Sequence, residues 1–250
     1  MLLGAARLLK RPIPRSPADL SRLALYSLFG VVINQICFVE GLSRTSPTHS
    51  SLVNTTIPVW TLLFAVFAGR ERITGAKLAS IAVALTGVLV VIRPGPESLA
   101  TGTLVGDVLS LTNGLSYSLF LVISKRILDR TDPLGATAAI MGFGAFGVFA
   151  VSVPSLLGFD PGRVPASTWG LGAFIVVFAT AGAYLLNFWA LARVDSSFVA
   201  LFIYVQPFIA ATLSALVRGE RPGPTDWIGG CLIFLGVYLA LPRGRWALDS

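Results

Sequence analysis

Eight apolar runs, joined by short connections rich in proline, glycine and charge, govern what this chain can become. They cover about residues 23–41, 47–68, 73–92, 103–124, 134–157, 168–192, 196–217 and 225–241. Most reach the roughly 20 residues that a helix needs to cross hydrocarbon. A backbone inside lipid must satisfy its own polar groups, and runs of this length do so as helices. The expected fold class is therefore all-α, a polytopic membrane helical bundle. The composition agrees: 54% of residues are hydrophobic and 12% charged, against about 25% charged in soluble domains. The third and eighth runs are marginal in length. Lys77 and Asp226 lie one turn inside their starts, within snorkelling distance of the interface. No connection is long enough to form a domain of its own.

The net charge of +7 lies in short clusters between apolar runs. That pattern suits anionic lipid headgroups rather than nucleic acid, which is not expected as a partner. With the N-terminus inside, five of the 19 Lys and Arg residues fall outside: Arg44, Arg93, Arg163, Arg218 and Arg221. The other fourteen fall inside, so the positive-inside rule places both termini in the cytoplasm. The expected location is the cell (inner or plasma) membrane. Cys37 and Cys231 lie in apolar runs and read as small packing residues. A single histidine, His49, leaves no metal or triad constellation of the histidine type. The apolar Met1–Leu9 is followed, not preceded, by basic residues and does not read as a secretory leader.

Residues 41–95 and 190–244 echo each other without a gap at an offset of 149. Arg44 falls on Arg193, Pro58 on Pro207, Glu71 on Glu220, Arg72 on Arg221, Gly87 on Gly236 and Gly95 on Gly244. Five helices separate the two prolines. An odd number inverts orientation, and inverted repeats are the architecture of alternating-access carriers.

The ordered residues Pro58, Gly69, Glu71, Arg72 and Gly87, then Pro207, Gly219, Glu220, Arg221 and Gly236, resemble the EamA module. That module occurs in pairs in the drug/metabolite transporter superfamily. The segment GDVLSLTNGLSYSLFLVISKR looks like the opening helix of a second copy. The resemblance implies two inverted repeats of five helices around a central cavity, and a small-molecule solute that is often exported. Residues 1–95 would then be an incomplete first repeat of three full helices and residues 103–244 a complete second repeat. Subtracting 149 from residues 103–157 places their counterparts at −46 to 8. The first copy is thus expected to lack its opening helix and most of its second. A chain so shortened is expected to be less stable and weak or inactive in transport.

Polar and aromatic residues deep in apolar helices should face the bundle interior. The substrate cavity is expected to be lined by Asn34, Asn54, Trp60, Asn113, Tyr117, Asn187, Tyr204 and Gln206. Helix-to-helix hydrogen bonding is the plainer role for any one of them. Pro58 and Pro207 are expected to kink their helices, either as pivots or as tolerated packing features. Glu40 and Asp107 are candidates for proton coupling, weighed against simple solvation at the interface. Glu71-Arg72 and Glu220-Arg221 read as structural turn residues. No cofactor and no metal is expected, and a homodimer is left open.

The best functional reading is a secondary transporter for a small metabolite or drug-like solute. The alternatives are a truncated, non-transporting member and an intramembrane enzyme. The enzyme would need a nucleophile–base pair, a carboxylate dyad or metal ligands at depth, and none stands out. Orientation is testable: a cysteine at position 71 should be shielded from an impermeant reagent added outside, and one at 220 labelled. Labelling of both from one side contradicts the inversion.

Overall fold

The computed structural model describes residues 2–14, 16–45, 47–92, 104–128, 130–206, 208–209, 212 and 224–240. The helices are α1 (Leu2–Leu8), α2 (Pro17–Leu42), α3 (Pro47–Asn54), α4 (Ile57–Phe67), α5 (Gly75–Ile92), α6 (Leu104–Leu128), α7 (Pro133–Leu156), α8 (Ala166–Leu191), α9 (Ser196–Leu201) and α10 (Pro224–Leu239). No strand occurs among the described residues. Among the described residues the protein is an all-α bundle, with helix in each of the eight apolar runs and α1 ahead of the first.

Local chemistry sets the helix ends. Pro17 opens α2 and Pro133 opens α7, positions where the missing N–H costs nothing. The Asp132 carboxylate accepts from Leu134 N at 3.0 Å and Gly135 N at 3.2 Å. After α4, Gly69 adopts φ +67°, the left-handed turn that ends helices.

Among the described residues four helices, α2, α6, α7 and α8, are long and apolar enough to cross a membrane. The second apolar run differs from expectation: it is two short helices, α3 and α4, separated at Thr55-Thr56. Pro58 sits in the first turn of α4, so the interruption lies just upstream of it. Both threonine hydroxyls turn back onto carbonyls, Thr55 to Leu52 O at 2.6 Å and Thr56 to Val53 O at 2.7 Å. The seventh run is interrupted as well: α9 gives way to a 3-10 turn at Phe202–Tyr204. Pro207 lies outside the described residues. α2 and α8 carry wide π turns at Leu28–Ile33 and Ile175–Gly182. Shifted by 149, the first falls within the second.

α6 stands at the centre, against α2, α3 and α4, while α7 covers α2 and α1. One core gathers Leu23, Phe120, Ile140 and Phe188; another gathers Leu62, Val88, Tyr204 and Ile233. The outward faces of α7 and α8 carry exposed Phe146, Phe149, Phe174 and Phe178, which suits lipid rather than water.

α5 and α10 make the closest helix pair. A β-carbon on Gly87 would lie 2.7 Å from Gly229 O, and one on Gly236 would lie 2.8 Å from Ser80 O. Gly87 also meets Ile233, and Gly236 meets Ala84. Contacts that climb one helix descend the other, so the pair is antiparallel. Each contact recurs with both partners replaced by their counterparts 149 residues away. Gly87→Val should force the helices apart and lower stability by about 1–3 kcal/mol. Gly75→Ala, where no atom lies within 4 Å of the added carbon, should leave the thermal midpoint in detergent nearly unchanged. Equal midpoints for both variants would contradict the close crossing.

Candidate functional site

A cavity of about 840 Å³ opens between α5, the C-terminal half of α8, α9 and the end of α10. Ile81, Leu186, Ala190, Phe198 and Phe202 form its apolar walls. Lys77, Ser80, Asn187, Arg193, Asp195 and Ser197 supply its polar groups. An apolar pocket with a few placed polar groups is the usual form of a small-molecule site.

The turn before α5 builds one edge of this region. The Glu71 side chain is only 3% exposed, and its Oε2 lies 2.6 Å from Lys77 Nζ. The Lys77 ammonium also meets Asp195 Oδ2 at 3.3 Å. Ser197 N donates to Glu71 Oε1 at 3.2 Å, and the Ser197 hydroxyl donates to Oε2. Asp195 precedes α9 but makes no capping bond itself. Glu71 therefore satisfies an otherwise orphaned amide at the start of α9, where the helix dipole favours a negative charge. The structural reading of Glu71 stands, but the helix it serves is α9, not the α5 that follows it. Arg72 beside it is exposed and is the better position for a labelling cysteine.

The turn after α8 is held from the opposite side. Lys125 Nζ donates to Leu191 O at 3.3 Å and to Val194 O, a cation closing a helix C-terminus. Arg70 Nη1 donates to Val122 O at 3.0 Å.

Of the residues expected to line a cavity, Asn187 lines this one. Its Nδ2 donates to the Tyr117 hydroxyl at 3.0 Å, so Tyr117 stands directly behind it. Asn113 is buried and joins two helices, with Nδ2 on Asn34 O at 2.8 Å. Tyr204 is fully buried in the core with Leu62 and Ile233. Asn54 Oδ1, Trp60 Nε1 and Tyr204 OH are buried with no hydrogen-bond partner among the described residues. Gln206 is exposed. Glu40 pairs with Arg44 one turn on, and Asp107 accepts from Thr45 Oγ1 at 2.8 Å; neither lines the cavity. Sequence reasoning missed Arg193, Asp195 and Ser197. The signal for Arg193 and Asp195 was their place in a short connection between two apolar runs; Ser197, at the start of the next run, gave none.

The sequence profile of the EamA-like transporter family matches residues 1–93 and 104–241. The chain belongs to the EamA-like transporter family. Similar proteins include an uncharacterized transporter of Archaeoglobus fulgidus, 25% identical over 91% of this chain and 78% of that protein. Another is the uncharacterized transporter YyaM of Bacillus subtilis, 28% identical over 87% of this chain and 71% of its own length. A WAT1-related protein of Arabidopsis thaliana is 29% identical over 93% of this chain and 70% of its own. A solved crystal structure superposes with a TM-score of 0.72 at 19% identity, covering 91% of this chain and 77% of the other, which establishes the shared fold. This EamA-family chain is accordingly a multi-pass membrane protein.

Glu71→Ala should cost about 3 kcal/mol, because it removes at once the acceptor of Ser197 N, of the Ser197 hydroxyl and of the partly buried Lys77 ammonium. Ser197→Ala should cost about 1.5 kcal/mol, the lower end for one hydrogen bond to a charged group. Chemical unfolding in detergent measures both, and a Glu71 variant no worse than the Ser197 variant would contradict the buried cluster.

Proposed function

We propose that this chain is a secondary carrier that moves a small solute outward across the cell membrane by alternating access, with both termini cytoplasmic. The observation that carries this reading is the cavity between α5, α8, α9 and α10, apolar in its walls with a few convergent polar groups. Its polar edge holds Lys77, Arg193 and Asp195, at the end that the charge distribution assigns to the cytoplasm. In this orientation the cavity is loaded from inside. The proposed halves are residues 1–95 and 103–244, inverted relative to each other, and the antiparallel α5–α10 crossing supports that arrangement. The interruptions at Thr55-Thr56 and at Phe202–Tyr204 are the proposed flexing points.

Asn187, backed by Tyr117, is the proposed polar contact for the solute. Asn54, Trp60 and Tyr204 carry buried polar atoms without partners among the described residues. Such atoms are rare because each is costly, and we assign them to a deeper stage of the passage. The test is movement of a labelled metabolite panel into everted vesicles with and without the protein. For the solute that moves, Asn187→Leu should raise KM about fivefold, as expected for losing one hydrogen bond of ~1 kcal/mol. Ala190→Trp, which fills the cavity, should abolish movement. No difference between vesicles with and without the protein for any solute would remove the proposal.

A further inference from the structure

Two arginines occupy corresponding places, and they are wired differently. Arg44 and Arg193 are 149 residues apart, as are the residues one turn before them, Glu40 and Trp189. Both arginines make the same backbone bond. Arg44 Nη1 donates to Glu40 O at 3.0 Å, and Arg193 Nη1 donates to Trp189 O at 2.8 Å. The side chains beneath them differ. Arg44 forms an ion pair with the Glu40 carboxylate. Arg193 instead lies over the Trp189 indole, its Cζ 4.0 Å from the ring centroid. Among the described residues it has no carboxylate within ion-pair distance.

Arg193 also lines the cavity, and Arg44 does not. The other cation on the wall, Lys77, is held by both Glu71 and Asp195 in a closed cluster. Arg193 stands outside that cluster. One of its five N–H donors is spent on Trp189 O. The indole face holds the guanidinium in place without neutralising it. A stacked, unpaired guanidinium presents a planar fork matched to an oxyanion. The same cavity is also lined by Ala190, Val194, Phe198 and Phe202, a wall suited to an apolar body.

We propose that Arg193 is the anion-docking residue of the cavity and that the solute is a small apolar carboxylate, its charged group on Arg193 and its body against Phe198 and Phe202. This rests on reading the cavity as the transport site. The replacement of the glutamate position by tryptophan is what frees the arginine for that role.

The test uses the full chain purified in detergent and reconstituted in phosphatidylcholine vesicles, with benzoate and its neutral twin benzamide as probes. Benzoate should bind saturably by calorimetry, and benzamide about tenfold more weakly or worse. Arg193→Gln should weaken benzoate about 10- to 100-fold, the range for a charge-assisted hydrogen bond, and Arg193→Lys should weaken it less. Trp189→Glu should weaken it as much as Arg193→Gln, because it rebuilds the ion pair made by Glu40 and Arg44. Both positions are exposed, and unliganded thermal midpoints verify that the variants fold. Equal binding of acid and amide, or unchanged benzoate affinity in Arg193→Gln, would overturn the inference. So would stabilisation by phosphatidylglycerol that depends on Arg193 without any benzoate response, since the residue is then a headgroup anchor. Benzoate binding with no uptake would remove the transport reading and leave the site standing. Uptake of benzamide as fast as benzoate would do the reverse.

Discussion

A backbone inside hydrocarbon has no water to turn to, and the irregular stretches of this chain depend on α6 to make up the deficit. Ser116 donates to Phe29 O at 2.7 Å in the π turn of α2. Asn113 serves Asn34 O at 2.8 Å just beyond it. Ser118 reaches Ile57 O at 3.1 Å, where α4 restarts after the interruption. The polar residues of this central helix thus bond carbonyls in and beside the wide turn of α2, and add a donor to Ile57 O, which the Thr61 hydroxyl also serves. Tyr184 of α8 adds a further bond to Gly30 O. Wide turns and broken helices are costly in lipid, and here they are affordable because a neighbouring helix supplies the donors.

The positions of the irregularities follow the 149-residue offset as closely as the sequence motifs do. The π turn of α2 overlays that of α8, and the interruption at Thr55-Thr56 lies within one turn of the image of Phe202–Tyr204. Side-chain identity has drifted between the two stretches while the departures from straight α-helix have stayed in register. Backbone geometry is the conserved quantity within this chain, and proline and glycine are where it leaves a trace in the letters.

That explains what could be read beforehand. The bundle and the eight apolar runs were legible because hydropathy and length are summed over many residues, so single substitutions hardly disturb them. Asn113 and Tyr117 were legible as inward-facing, since polar groups at depth have nowhere else to go. Their partners were not. Asn113 ties to a backbone carbonyl, which no side-chain pattern announces. Glu71 looked like a residue serving the helix after it, and it caps α9 through a contact 126 positions away in sequence. Lys77 looked like a snorkelling cation, yet it lies in a cluster with two acids. Asp195 escaped notice, and Arg193 was seen only as the counterpart of Arg44, because a charged residue in a short connection is ordinary. Only the cavity beside them gives them significance.

The α5–α10 crossing has a thermodynamic corollary. Its contacts map onto themselves when the two stretches trade places, Gly87 with Ile233 becoming Gly236 with Ala84. If the halves exchange conformations as proposed, this pair contributes the same energy before and after the exchange. A degenerate element cannot favour either facing. Any resting preference, and any response to a solute, must then be written where corresponding residues differ, as Glu40 and Trp189 do. Symmetry in the crossing makes the exchange cheap, and broken symmetry at the cavity edge gives it a direction.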